Sequence, residues 1–136
     1  MKDSLWISVI AAVVAACAAA ISWRMSKKQL TTFTYHNIGI SYISLNQIFI
    51  DNPELRPYFI EGGKLPNGQT QKAKAIAAMI LNILESTWSQ NDAMGKTEAR
   101  SWQKYIEHQI RSVKIVNDLY EEQKEWYPSL AEVLDA

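Results

Sequence analysis

The sequence predicts an all-α protein in which one N-terminal transmembrane helix is followed by a small soluble domain of four to five helices. Three observations predict it. Leu5 to Trp23 is a run of 19 residues without a charge, with Ser8 and Ser22 its only clearly polar members. Beyond it, apolar residues recur at steps of three and four, the spacing of one helix face. The Asn52-Pro53 turn and the glycine- and proline-rich residues 61–69 then cut the remainder into short helical lengths.

The apolar run comes first in the chain. At about 1.5 Å per residue it covers roughly 28 Å, close to the ~30 Å hydrocarbon core of a bilayer. Lipid offers no partners for backbone polar groups, so a lone spanning segment must be helical. Trp6 and Trp23 stand at its ends, at the depth amphipathic rings prefer. Two other readings compete. A cleaved signal peptide would be cut near Ala16–Ala20, and Val14-Ala15-Ala16-Cys17 resembles the lipobox of bacterial lipoproteins, with Cys17 the acylated residue. Both expect a positive start and an apolar run that stops near the cut. Here Met1-Lys2-Asp3-Ser4 carries little net charge, and the run continues through Trp23 into basic residues, which favours a retained anchor. Arg24, Lys27 and Lys28 follow the run and only Lys2 precedes it, so the positive-inside rule puts the N-terminus outside and the domain in the cytoplasm of an inner (plasma) membrane. Ser8, Ala12, Ala16 and Ala20 recur every fourth residue and form a small-residue stripe suited to packing against a second membrane helix, from this chain or another.

Charge divides along the same boundary. Residues 1–28, the anchor with its flanks, hold four basic residues against Asp3, a net +3. Residues 29–136, the expected domain, hold ten basic against thirteen acidic, a net −3. A mildly acidic domain without a basic stripe is poor material for neutralising phosphates, which argues against nucleic acid as a partner. Cys17 is the only cysteine, so no intramolecular disulfide can form.

Residues 28–50 are rich in Thr, Tyr, Ile and Phe, a strand-like composition. Ile38, Tyr42, Leu45 and Phe49, with Ile48 beside them, are nevertheless spaced 4, 3 and 4, which predicts a helix that can continue the anchor despite Gly39. At Asp51-Asn52-Pro53-Glu54, Asn52 is the expected cap, Pro53 the first helical residue and Glu54 the acid at the positive end of a short helix limited by Pro57. Residues 61–69 read as loop. Thr70 to Gln90 reads as a helix whose core band is Ala73, Ile76, Ala77, Ile80, Ile83, Leu84, Thr87 and Trp88, with Gln71, Lys74, Asn82 and Glu85 outward. Thr97 is the expected cap of the next helix, where Trp102, Ile106, Gln109, Ile110 and Val113 share a face. A break at Ser112 or Asn117 precedes a last segment carrying Val116, Leu119, Tyr120 and Trp126. Pro128 stops that segment, and residues 129–134 add a terminal turn.

One block carries a resemblance. Asn46-Gln47-Ile48-Phe49-Ile50-Asp51-Asn52-Pro53-Glu54-Leu55-Arg56-Pro57-Tyr58-Phe59 resembles the "NPELRPYF" turn of a family of small bacterial single-pass membrane proteins of unknown function. Trp102-Gln103-Lys104-Tyr105-Ile106 and Glu125-Trp126-Tyr127 resemble its later blocks. The resemblance implies the anchored helical architecture and brings no activity with it.

No motif carries catalysis. His36 and His108 lie far apart, and Glu107-His108 lacks the second histidine of a zinc-binding helix. No serine has nucleophile-elbow spacing, and Gly62, Gly63 and Gly68 lack the lysine–hydroxyl pair of a phosphate-binding loop. The expectation is therefore no enzyme, no cofactor and no metal. Arg56 with Tyr58 and Phe59 is the best candidate binding group, a planar cation beside apolar rings. The competing reading has Leu55, Tyr58 and Phe59 lock the turn onto the bundle while Arg56 pairs with Glu54, Glu61 or a helix C-terminus. Trp88, Trp102, Trp126 and Tyr127 line a cleft in one reading, with Trp102 and Trp126 the candidate contacts, and fill a core in the other. The expected function is a membrane-anchored helical interaction module, an adaptor, regulator or accessory subunit. It would be partnered by the bilayer and by another membrane or cytoplasmic protein, or by itself through the anchor helix. The alternative is a membrane-associated sensor or effector of a stress or phage-defence response that binds a small ligand. Growth arrest on overexpression and thermal stabilisation by a ligand would mark that alternative.

Overall fold

The computed structural model describes residues 2–135, and every regular element in it is helical. Met1 and Ala136, the outer limits of the two expected domains, lie outside the described residues. The first helix, α1, runs unbroken over Lys2–Asp51, so the apolar run and the segment after it form one helix. The helical spacing of Ile38, Tyr42, Leu45 and Phe49 prevails over their strand-like composition, because one helix face covers all four at least partly whereas strand alternation would split them. Gly39 does not break the helix, and open space surrounds it.

The chain divides into two compact units, Met1–Phe33 and Thr34–Ala136. In the first, every described side chain from Trp6 to Leu30 is exposed. This helix is long and apolar enough to cross a membrane. Lys27 Nζ lies 5.3 Å from the centre of the Trp23 ring, a cation–π contact at the polar end of the apolar run.

The second unit is a helical bundle. The last part of α1 is followed by α2 (Arg56–Ile60), α3 (Thr70–Trp88), α4 (Lys96–Ser112), α5 (Lys114–Glu122) and α6 (Pro128–Leu134), with single 3-10 turns at Asn91–Ala93 and Lys124–Trp126. α3 is central and packs against α4, α5 and α6, while α4 also packs on α5 and α6. Leu55, Leu81, Ile106, Ile110, Val116 and Leu130 are fully buried between them, each such side chain stabilising by about 1.5–3 kcal/mol. From α1, Ile38 and Phe49 are buried and Tyr42, Leu45 and Ile48 half-buried.

The connections differ from the sequence expectation in ways that follow from capping chemistry. Asn52 closes α1 rather than opening α2: its Nδ2 donates to the Ile48 carbonyl at 2.8 Å, satisfying one of the acceptors a helix end leaves free. Pro57 does not limit α2 but sits in its first turn, where a missing N–H costs nothing. The helix stops instead at Gly62, whose φ of +69° only glycine adopts freely, and Gly63 N–H donates to the Pro57 carbonyl at 2.9 Å. The residue capping α4 is Gly95 rather than Thr97. Its N–H donates to Glu98 Oε2 at 3.1 Å, and the same carboxylate accepts the Tyr35 hydroxyl. The break after α4 falls at Val113, beside Ser112, in extended conformation and buried. Pro128 starts α6 instead of ending its predecessor.

Candidate functional site

The expected binding turn lies at the corner between α1 and α3. Leu55 is completely buried and Phe59 nearly so, with the Phe59 ring 5.7 Å from Phe49 and 5.2 Å from Tyr58. The Tyr58 hydroxyl accepts the Ile115 N–H at 3.2 Å, one of the first donors of α5. Those donors have no intrahelical acceptor and need one from outside. Tyr58 and Phe59 therefore join three helices, and their rings are largely committed to that packing.

Arg56 is placed differently. It is exposed, and among the described residues no hydrogen bond or ion pair engages it. Glu54 is taken by Lys72 at 3.3 Å, and its own backbone N–H, with Lys72 behind it, holds that carboxyl below the usual range. Arg56 instead borders an open cleft of about 370 Å³ shared with Asn46, Phe49, Ile50 and Pro53. The cleft is an apolar floor with a planar cation at its rim, chemistry suited to a carboxylate or phosphate attached to an apolar group.

A second aromatic group stands between α1 and α4. Trp102 lies 5.7 Å from Tyr42 and 5.5 Å from Tyr105, edge-on to the latter, and with Ser101 the three rings border a hollow of about 250 Å³. Trp102 is half-buried, so it contributes both to the packing of α1 on α4 and to that hollow. Trp126 is 74% exposed on a 3-10 turn, over a concavity whose other residues include Glu121, Glu122 and Glu125. Its position comes from the turn that Pro128 and the buried Tyr127 impose, which lifts it out of the helical face expected for it.

In the first unit Ser8, Ala12, Ala16 and Ala20 are exposed along α1, as is Cys17. Among the described residues no three His, Cys, Asp or Glu side chains converge into a metal-binding group. The structure also identifies residues whose roles the pattern did not reveal. Glu85, expected to face solvent, is half-buried and accepts the Ser129 and Leu130 N–H groups at 3.0 Å each, capping α6 from α3. Leu81, outside the expected band, is fully buried. Arg111 donates to the Leu134 carbonyl at 3.2 Å, so α6 has an acid at its N-terminal end and a base at its C-terminal end.

No protein-family model, curated protein or solved structure matches the chain.

Proposed function

We propose that this chain is a single-pass membrane protein of the inner membrane. Its helical domain works on the cytoplasmic side as a docking module: an adaptor, regulator or accessory subunit of a protein assembly. The observation that supports this most is the apolar surface α1 leaves bare. In the first unit Trp6, Ile10, Val14, Ile21 and Trp23 are each 60–66% exposed, a surface that water disfavours and hydrocarbon accepts. Lys27 beside Trp23, with Arg24 and Lys28, marks the end of the span and supports the cytoplasmic placement. In the second unit Ile40, Ile43 and Ile50 remain exposed on the same helix. Arg56 adds an unengaged cation near that apolar side, the kind of residue that anchors protein interfaces. The reading involves no catalytic residue and no cofactor.

The reading is tested by purifying the full-length protein from native membranes in mild detergent and measuring intact complexes by native mass spectrometry. Stoichiometric complexes, with another protein or with further copies, are the expected result. A monomer carrying only lipid and detergent under several extraction conditions contradicts it.

A further inference from the structure

We propose that Asn67 is a site of spontaneous covalent modification, where the folded protein converts an asparagine amide into a mixture of aspartate and isoaspartate. The site is the exposed turn that leads into α3, and it stands apart from the docking reading.

Asn67-Gly68 is the one Asn-Gly pair in the chain. The chemistry needs an amide side chain followed by a backbone N–H free to reach it. Gly68 N attacks Asn67 Cγ, and the new N–C bond closes a cyclic imide. The side-chain nitrogen leaves as ammonia, carrying the proton that Gly68 N gives up. Water from the solvent then opens the imide. Cleavage of the bond to Cγ yields an ordinary aspartate. Cleavage of the bond to the backbone carbonyl yields isoaspartate, in which the chain runs through Cγ and the α-carboxylate is free.

The turn leaves both reacting groups open. Asn67 and Gly68 are exposed, and a Cβ added at Gly68 would meet nothing within 4 Å. Among the described residues neither the Asn67 amide nor the Gly68 N–H has a hydrogen-bond partner. The turn is closed by Gln69 N–H, which donates to the Pro66 carbonyl at 3.2 Å, so the attacking nitrogen plays no part in holding it. Gly68 has a φ of +79° and Asn67 does not have a positive one, the pattern of a type II turn. Turning over its central peptide plane carries a type II turn toward type I with the ends in place, and swings Gly68 N about Asn67. Gly68 accepts either sign of φ, so nothing steric at that residue resists the rotation.

The other asparagines lack this combination. Asn37, Asn46, Asn82 and Asn117 lie within helices, where the following N–H is committed to a backbone carbonyl. Asn52 precedes Pro53, which has no N–H, and the side chain of Asp92 hinders attack on Asn91.

The products act on the start of the central helix. α3 begins at Thr70 with no acid in its first turn and no side-chain cap. Either product adds a negative charge near that positive end, taking residues 29–136 from a net −3 to −4. Isoaspartate also lengthens the backbone between Leu65, which packs against the core, and α3.

The test incubates the purified full-length protein, folded in detergent, at mildly alkaline pH. Peptide mapping by mass spectrometry follows each amide, and an isoaspartate-specific methyltransferase reports isoaspartate. Loss of the amide at Asn67 is expected to be at least about ten-fold faster than at any other asparagine, because glycine presents an unhindered N–H. It should quicken as the pH rises and base removes the Gly68 proton, with methyl-accepting isoaspartate confined to the peptide that holds Asn67. Asn67→Gln, whose longer side chain closes a larger and slower-forming ring, is expected to abolish that signal while the helical circular dichroism is unchanged. An Asn67 amide that survives in the folded protein while the urea-unfolded chain loses it overturns the proposal, since the native turn then shields the site. Equal isoaspartate in the parent and in Asn67→Gln overturns it as well.

Discussion

Glu85 and Tyr58 each supply an acceptor to a helix that cannot supply its own. The first N–H groups of α6 have no intrahelical acceptor, and Tyr127 gives no side-chain cap, so the two Glu85 oxygens meet the need of Ser129 and Leu130. Glu85→Ala leaves two donors unsatisfied and is expected to lower stability by about 1–3 kcal/mol, read from the urea midpoint at unchanged slope. A midpoint equal to the parent's would contradict this role. The sequence did not reveal it, because Glu85 sits at a polar position of the α3 pattern and nothing local points forward to Ser129 and Leu130. The same holds for Tyr58, whose apolar packing was legible while the Ile115 N–H it accepts was not. Arg56 was legible as a candidate from its residue type and turn. Its freedom from ion pairs is a tertiary fact, since Lys72 reaches Glu54 only once α3 folds alongside.

At the scale of elements, the long helix was readable because two signals agree along it: an uncharged run of membrane length, and a 4-3-4 spacing that survives a strand-like composition. The helix ends were less readable. Asn52, Gly95 and Pro128 each suit more than one capping position, and which one they take depends on whether the chain before or after them is fixed by packing. The junction of α5 with α6 carries a prediction of its own. The Tyr120 and Tyr127 rings meet at 6.5 Å and both are buried. Burial pushes both phenols above their usual range; nearby acids, Glu85 among them, push the same way, and Lys124 opposes them at Tyr120. An unfolded tyrosine ionises near pH 10, so each contributes stability that is intact below about pH 10 and is lost as the pH rises above it. The thermal midpoint should therefore fall steeply above about pH 10, and less steeply in Tyr127→Phe. Identical alkaline limbs for parent and variant would contradict the assignment.

For the whole molecule, the two compact units differ in what they do with their apolar residues. Among the described residues, the segment up to Phe33 exposes its apolar side chains, while the segment from Thr34 buries a core. The long apolar helix ahead of several short ones was legible from hydropathy and spacing, which depend on composition and pattern. The role of the domain was not, because a helical bundle holds its function in surface groups that periodicity does not rank. The central claim is a retained anchor with its domain inside the cell, and protease protection on intact right-side-out spheroplasts with intact-mass analysis of the recovered chain tests it most directly. The account predicts a chain of full-length mass, with its domain cleaved only after the membrane is opened. A domain digested from outside, or a chain beginning at an acylated Cys17, would contradict it.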